Sequence, residues 1–286
     1  MSAYRFCRTD DIGLLVDALN RCWLPYFPEH GPTTAATFKR SIRDLQVWCS
    51  SCMVAFSGSE PIGVLIGAKR PSGTLVQKIA VHPDHRRQGH GQHLLTSLSS
   101  KLAILGPPRM VAEVPRTLAS ACELFSASGY VAEETLTDYV LQFRHEGREQ
   151  EMRAGFVIPV TIDDLTANGL LADADTQVCW ERSVETLLAR RADIHGLAVA
   201  SDERIEAYLL YVADGVQEPE LVSLRSLVDD GGVRLGQLLF HLKARGIETL
   251  RFPRVHPAEL SNERLQRLGF SPACAYVRYA ATSRTA

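Results

Sequence analysis

The chain has 286 residues, 45% of them apolar and 22% charged, and its formal net charge is −2. This length fits two domains of about 130–150 residues better than one. The apolar fraction excludes a disordered chain, and the lack of a basic excess argues against a general nucleic-acid surface, so no nucleic-acid partner is expected.

The first half alternates between strand and helix patterns. Asp10 and Asp11 are candidate N-caps for the first helix, Ser59 and Glu60 form the predicted hairpin turn, and Gly106 ends a later helix. The predicted elements are a strand at 4–9, helices at 12–23 and 35–45, hairpin strands at 52–58 and 62–70, a strand at 75–81, a helix at 91–105, a strand at 109–114, a helix at 117–129 and a strand at 137–143.

The second half repeats the order of the first. Residues 146–155 are charged and nearly free of apolar side chains, and we interpret them as a linker between domains at 1–145 and 156–286. A hairpin, a strand and a helix recur after it in the same order, and Gly269 lies 140 residues after Gly129 at matching helix ends. This pattern indicates an internal duplication with a period of one domain.

The cysteines and the beginning of the sequence predict no special chemistry. Seven cysteines are an odd number for a disulfide framework. Cys49 and Cys52 form a lone C-x-x-C without a second ligand pair, so no metal site is expected. Because no leader pattern and no run of 18 apolar residues is seen, we expect a cytoplasmic protein with no membrane partner.

A strand at 75–81 leads into a loop that gathers positive charge and glycine, "HPDHRRQGHG" at residues 82–91. Backbone N–H groups at the start of the next helix lack internal partners and carry partial positive charge. Glycines let the backbone approach a phosphate, and the two arginines grip its oxygens. The loop therefore predicts a phosphate or pyrophosphate site, although glycine in a tight turn with solvated arginines is an alternative.

This stretch resembles motif A of the GNAT superfamily of N-acetyltransferases, [QR]-x-x-G-x-[GA] after a strand, which Arg86, Gly89 and Gly91 match. Residues 119–134 are similar to motif B, a helix that ends in a Gly-aromatic pair. The resemblance is clear over residues 3–145 and weak over 156–280. It implies an α+β fold with α/β/α-like layers: two tandem GNAT-type domains, each a mixed, mostly antiparallel twisted sheet flanked by helices.

The resemblance further implies that the protein binds acetyl-CoA. In this family the strand before the loop bulges and splays from its neighbour, and the pantetheine arm lies in the gap. The residues implied to bind acetyl-CoA are Ile79, Ala80, Val81, Arg86, Arg87, Gln88, Gly89, His90, Gly91, Gln92 and Phe125.

The expected reaction is direct attack of an amine on the thioester in a ternary complex, with no metal. A lysine-like amine has a pKa of about 10.4, so a base is useful. Glu113 matches the glutamate that serves this purpose in the ribosomal-protein alanine acetyltransferases, with a solvent-facing strand glutamate as the alternative. Phe125 stands where the family's general-acid tyrosine is expected, and Leu118 where an asparagine is common.

In the family, the first two helices and their loop line the acceptor pocket. Here Trp23, Tyr26 and Phe27 are the predicted acceptor-binding residues, with Glu29 beside them, and aromatic rings with a carboxylate suit an amine. In the alternative interpretation, these rings cover the core or a subunit interface, and a homodimer is a possible assembly. The expected partner is a small-molecule or peptide amine.

The second half is expected not to bind acetyl-CoA, because Asp229 and Asp230 place negative charge where a phosphate would lie. Two other functions remain open. One is a non-catalytic CoA-binding sensor or scaffold, suggested by Phe125 and Leu118. The other is an acyltransferase that uses a different acyl donor or a hydroxyl acceptor.

Overall fold

The computed structural model describes residues 2–143, 156–171, 178–213 and 218–282. The predicted linker at 146–155 lies outside these residues. The elements of the first half are β1 (Ser2–Phe6), α1 (Ile12–Cys22), α2 (Ala35–Leu45), β2 (Met53–Ser57), β3 (Glu60–Arg70), β4 (Gly73–Val81), α3 (His90–Leu105), β5 (Arg109–Pro115), α4 (Ala119–Ala127) and β6 (Val131–Gln142). Those of the second half are β7 (Phe156–Val160), α5 (Ile162–Ala167), α6 (Val184–Ala189), β8 (His195–Ala200), β9 (Ile205–Val212), β10 (Glu220–Ser226), α7 (Val233–Ala244), β11 (Thr249–Val255), α8 (Asn262–Arg267) and β12 (Ser271–Thr282).

The chain forms two compact units that are not consecutive halves. The first unit is Met1–Glu134 with Val277–Ala286, and the second is Thr135–Tyr276. The larger part of β6 therefore belongs to the second unit, and the end of β12 belongs to the first. This division differs from domains at 1–145 and 156–286, because each unit takes its last strand from the other half of the chain.

Both units have the same mixed sheet. In the first unit, β1, β2, β3 and β4 pair antiparallel in order, and β4 pairs parallel with β5. In the second, β7, β8, β9 and β10 pair antiparallel, and β10 pairs parallel with β11. The repeated pattern confirms the predicted fold class of mostly antiparallel sheets flanked by helices.

Helices cover the first unit's sheet through periodic apolar stripes. Leu15, Ala18, Leu19 and Cys22 recur at helical spacing on α1, which packs on β3. Leucines of α3 and Phe125 of α4 share a core cluster with β2, β3, β4 and β5, and Tyr279 of β12 joins that cluster. Burial of these side chains fixes α3 and α4 against the sheet.

Two local predictions need correction. Asp11 occupies the N-cap position of α1, but its side chain makes no capping bond; it accepts a hydrogen bond from the Arg8 N–H at 2.7 Å and pairs with Arg5. The hairpin turns at Gly58 and Ser59, one residue earlier than predicted, because Gly58 adopts a φ of 60° that disfavours other residues.

Candidate functional site

The strands β4 and β5 separate soon after they begin. The ladder between them holds Thr74 opposite Met110 and Leu75 opposite Val111, whereas β4 continues to Val81. Beyond these pairs the strands border a cleft of about 460 Å³, whose walls include both strands, the start of α3, α4 and the loop after α1. The edge of β4 that faces the cleft thus resembles an edge strand, which pairs readily with an extended chain.

A bulge lies where β4 turns away from β5. Ile66 of β3 faces Lys78 and Gly67 faces Val76, so Gln77 is an extra residue in β4. A bulge bends a strand and increases its twist, and here it marks the point where the cleft opens. The predicted residues Ile79, Ala80 and Val81 follow it and line the cleft.

The loop after β4 has the backbone of an anion-binding nest. Arg87 has a φ of 60°, Gly89 has a φ of 82°, and Gly89 is the N-cap of α3. The first turn of α3 then presents N–H groups that have no acceptor within the helix. Left-handed residues before a helix start make a concavity of amides that suits phosphate.

The two arginines stand at the rim of this nest in different settings. Arg86 contacts the Ser120 hydroxyl at 3.3 Å and lies over the ring of Tyr26, 5.3 Å from its centroid. Arg87 keeps 85% of its side chain exposed and lies 3.9 Å from Glu123. Arg86 is therefore held in place at the cleft, whereas Arg87 is a loosely paired surface cation.

The remaining loop residues differ in how they face the cleft. Gly91 lines it, and a Cβ there would lie 3.0 Å from a methyl group of Leu124, so α3 and α4 approach closely at this glycine. Gln92 also lines it and donates to the carbonyl of Ala127 at 3.5 Å. Gln88, unlike its neighbours, is not among the residues that line the cleft.

His90 lines the cleft, but its ring is part of the interior. It is 5% exposed, and its Nδ1 lies 2.6 Å from the hydroxyl of Tyr4. Burial, and then the nearby His85 and His93, lower the pKa of His90. These contacts support a structural role for His90, whose neutral ring anchors the start of α3 to β1.

Glu113, the predicted base, lies in the cleft wall on β5 with 4% of its side chain exposed. Its carboxylate is 3.6 Å from the guanidinium of Arg278, which also pairs with Glu134 at 2.7 Å. A charged carboxylate that is largely removed from water needs such a partner. Sequence reasoning missed Arg278, because nothing in the sequence links residues that lie 165 positions apart.

Phe125 is 2% exposed and borders the cleft from α4. Its ring packs against Tyr130 at 5.1 Å and against Tyr279 at 5.8 Å between centroids. Phe125, which lacks the hydroxyl of the family's tyrosine, is therefore part of a packed cluster of three aromatic rings. Leu118 is the N-cap of α4 and also lines the cleft.

The loop after α1 places its three predicted aromatic residues at the cleft. Tyr26 donates from its hydroxyl to the carbonyl of Val81 at 2.7 Å, and burial raises its pKa. Trp23 and Phe27 stack at 4.3 Å between centroids. Glu29, expected beside them as part of an amine site, is not among the lining residues and instead lies 3.8 Å from His30.

Neither a metal cluster nor a membrane-spanning helix is found in residues 2–143, 156–171, 178–213 and 218–282. They contain no group of three or more His, Cys, Asp or Glu arranged to hold a metal ion. None of their helices combines the length and apolar character needed to cross a membrane.

Comparisons with known proteins agree with this geometry. Residues 14–130 match the model of the acetyltransferase (GNAT) family, whereas no curated protein sequence matches the chain. A GCN5-related N-acetyltransferase from Sphaerobacter thermophilus is similar in fold, with 14% identity, a TM-score of 0.70, and coverage of 99% of this chain and 96% of that one.

A second solved structure shares the tandem layout. It is a tandem GNAT protein from the clavulanic acid biosynthesis pathway, solved without AcCoA, with 16% identity, a TM-score of 0.67 and full coverage of both chains. At these identities the structural likeness shows the fold, and the family model adds the sequence match over the first unit. Residues 14–130 therefore match the GNAT acetyltransferase family, and the chain as a whole has the fold of a tandem GNAT protein.

Proposed function

We propose that the first unit transfers an acetyl group from acetyl-CoA to an amine by direct attack in a ternary complex. The observation that carries this proposal is the splay of β4 from β5, which opens directly onto the amide nest at the start of α3. An extended pantetheine arm fits the unpaired edge of β4, and a diphosphate fits the nest. The family match over residues 14–130 supports acyl transfer in general, and the cleft supports this donor in particular.

The chain's own residues have separate tasks in this reaction. The nest residues and Arg86 hold the diphosphate, and the main chain of residues 79–81 orients the thioester arm. Holding donor and acceptor in one geometry supplies much of the rate increase. Glu113 accepts the proton that the amine loses, directly or through one water.

The bonds and protons balance without a covalent enzyme intermediate. The amine nitrogen bonds to the acetyl carbon, the C–S bond breaks, and the electron pair leaves with sulfur. Because Phe125 has no hydroxyl, the thiolate takes its proton from solvent in this proposal. The products are an amide and free coenzyme A.

Thiol release tests the proposal. The protein is incubated with acetyl-CoA and a panel of amines, amino acids and peptides, and free thiol is followed with and without each acceptor. Acceptor-dependent release, with an acetylated product by mass spectrometry, is the expected result. Parallel assays with longer acyl-CoA donors and hydroxyl acceptors test the related acyltransfer reactions.

A second candidate is a CoA-binding sensor that does not turn over, favoured by Phe125 and Leu118 in the cleft. Calorimetric titration with coenzyme A separates the two functions. Tight binding without thiol release for any acceptor or donor would establish the sensor and contradict the transferase.

A further inference from the structure

Tyr26 differs from the other predicted acceptor-binding residues in what it contacts. Trp23 and Phe27 stack on each other, and the ring of His30 stacks on Phe27 at 5.4 Å between centroids. Trp23 and His30 also line a second pocket of about 190 Å³, formed by α1, α2, the loop between them and β4. Tyr26 is not among the described residues that line this second pocket, and its side chain contacts the end of β4 and the loop before α3 instead.

The hydroxyl of Tyr26 contacts a main-chain group that faces the cleft. Just after β4, the N–H of His82 donates to the carbonyl of Ile62 in β3 at 2.8 Å. The preceding pair of the two strands is Val81 opposite Gly63. Antiparallel partners alternate between hydrogen-bonded and non-hydrogen-bonded pairs, so the N–H and C=O of Val81 point away from β3 and toward the cleft. Tyr26 donates to this carbonyl at 2.7 Å, and it therefore fixes the end of the strand edge to which the proposed function assigns the pantetheine arm.

The ring of Tyr26 holds an arginine at the rim of the nest. The guanidinium of Arg86 lies over this ring, 5.3 Å from its centroid, and contacts the hydroxyl of Ser120 at 3.3 Å. An unrestrained arginine side chain loses rotamer entropy when it orders around a ligand, whereas one that is already held loses less. The ring thus keeps a cation in place beside the amides that suit a diphosphate, which is a form of preorganisation.

Tyr26 is itself held in place by the chain. Its N–H donates to the carbonyl of Trp23 at 3.0 Å, in a tight turn that follows directly from α1. Cys22, the last residue of α1, is fully buried. Burial raises the pKa of the Tyr26 hydroxyl, although the nearby Arg86 lowers it. The hydroxyl is therefore protonated at neutral pH and remains a donor.

We infer that Tyr26 is a positioning residue of the coenzyme site rather than a contact for the acceptor. Its hydroxyl fixes the cleft-facing end of β4, and its ring orients Arg86 toward the diphosphate. The inference rests on the proposed acetyl-CoA site and assigns a further residue to it. A carbonyl oxygen has two lone pairs, so Val81 accepts hydrogen bonds from Tyr26 and from the pantetheine arm together.

Two substitutions separate the hydroxyl from the ring. Y26F removes the bond to Val81 and keeps the ring beside Arg86, so the Kd of coenzyme A should rise by about twofold to tenfold, the range of one hydrogen bond. Y26L removes both contacts and should raise the Kd by about fivefold to fiftyfold. F27L is the matched control, since Phe27 is an aromatic residue of the same loop whose ring stacks on Trp23, and its Kd should stay within about twofold of the parent value. Isothermal titration calorimetry measures the three variants, and circular dichroism checks that they are folded.

A double-mutant cycle tests the link between Tyr26 and Arg86. R86A should raise the Kd of coenzyme A by about tenfold in the parent protein and in Y26F, but by less than about threefold in Y26L, where the ring no longer holds the guanidinium. Pantetheine, which has the thiol arm and no diphosphate, should lose affinity equally in Y26F and Y26L, as measured by displacement titration. An R86A effect of the same size in all three backgrounds overturns the role of the ring.

Steady-state kinetics separate the coenzyme role of Tyr26 from an acceptor role. With any acceptor that supports thiol release, Y26F should raise the KM of acetyl-CoA and leave the KM of the acceptor within about twofold. A rise confined to the KM of the acceptor, or tighter binding of coenzyme A by Y26F, overturns the inference and leaves the transferase proposal standing. Binding of coenzyme A without thiol release contradicts the transferase, and the Kd values of the variants then still decide the role of Tyr26. A parent protein that does not bind coenzyme A overturns both proposals.

Discussion

The loops that precede α3 and α7 have the same backbone conformation at the start of the helix, but different groups lie next to the helix N–H groups. Gly89 and Gly232 are the N-caps of these helices, and both adopt left-handed conformations, with φ of 82° and 96°. In the second unit, the carboxylate of Asp230 accepts hydrogen bonds from the N–H of Gly232 at 2.9 Å and of Arg234 at 2.8 Å. The amides that hold a phosphate in our proposal for the first unit are thus taken by an internal anion in the second.

The strands next to these two loops also differ between the units in what contacts them. β10 and β11 pair parallel at Glu220 and Arg251, as β4 and β5 do at their start. In the second unit, however, Arg182 donates to the β11 carbonyl of Arg254 at 3.2 Å and forms a buried ion pair with Glu259 at 2.6 Å. In the second unit, side chains thus contact the groups that our proposal assigns to acetyl-CoA in the first, and we therefore predict one acetyl-CoA per chain.

The largest expected effect comes from giving the first unit an internal anion. Gly91→Glu places a carboxylate in the first turn of α3, where it competes for the amides and repels a diphosphate. We expect the affinity for coenzyme A to fall by more than about a hundredfold, the cost of one or more charge-assisted hydrogen bonds. Isothermal titration calorimetry measures this change.

Gly91→Ala is the control for crowding. Its Cβ would lie 3.0 Å from a terminal methyl group of Leu124, a contact that a small side-chain shift relieves. We expect a loss of only a few fold, consistent with mild overpacking. Unchanged coenzyme affinity in Gly91→Glu, with the fold intact by circular dichroism, contradicts the nest in the first unit.

The next effect concerns the strand wall, where β5 has Glu113. Glu113→Gln should lower kcat by about 10²-fold or more, the contribution of a positioned base, and leave the Kd of coenzyme A within about twofold. Glu134→Gln is the matched control, since Glu134 pairs with the same Arg278 and is not among the residues that line the cleft. Equal losses in both variants would assign Glu113 to structure.

Local patterns in the sequence are enough to place the residues of the proposed nest next to one another. Gly89 immediately precedes α3 and Gly91 lies in its first turn, both within ten residues of the end of β4, so chain connectivity alone brings them together. Leu94 and Leu98 are four residues apart and lie on one face of α3, so the packing of this helix against the sheet also follows from local spacing. The mostly antiparallel sheet could likewise be predicted, from the hairpin patterns and from the family resemblance.

Contacts between distant segments were beyond the reach of the sequence. Arg278 reaches Glu113 because each unit takes its last strand from the other half of the chain, and no composition shift marks that exchange. The bulge at Gln77 depends on register with β3, which the alternation of residues in β4 does not reveal.

A smaller effect is expected when the internal anion is removed from the second unit. Asp230→Asn weakens the bonds to the N–H groups of Gly232 and Arg234, and it should cost about 1–2 kcal/mol of stability, as loss of a helix cap does. Urea denaturation measures the change. Titration with coenzyme A should still give one site per chain, because the contacts of Arg182 with Arg254 and Glu259 remain in this variant, and a second site would mean that Asp230 alone excludes the ligand.

The pH dependence of this effect has a definite sign. Burial alone would raise the pKa of Asp230, but hydrogen bonds from the N–H groups of Arg234 and Gly232 and the Arg234 guanidinium outweigh it, so the pKa is lowered. A lowered folded-state pKa stabilises the protein above the unfolded value of 3.8, and this stabilisation is lost as pH falls through the folded value. The stability difference between Asp230→Asn and the parent protein should therefore be full at pH 7 and shrink below pH 3.8.

The smallest expected effects distinguish the two arginines at the rim of the first nest. Arg86 is held by Ser120 and Tyr26, so its charge is preorganised beside the cleft, whereas Arg87 is 85% exposed and only loosely paired with Glu123. Arg86→Ala should weaken coenzyme A binding by about tenfold and Arg87→Ala by about twofold to threefold, because an exposed, screened charge contributes less than an ordered one. Titrations at two salt concentrations measure both. A larger loss for Arg87 than for Arg86 would mean that ligand binding reorders the loop, and that the rim seen here is not the arrangement that grips the diphosphate.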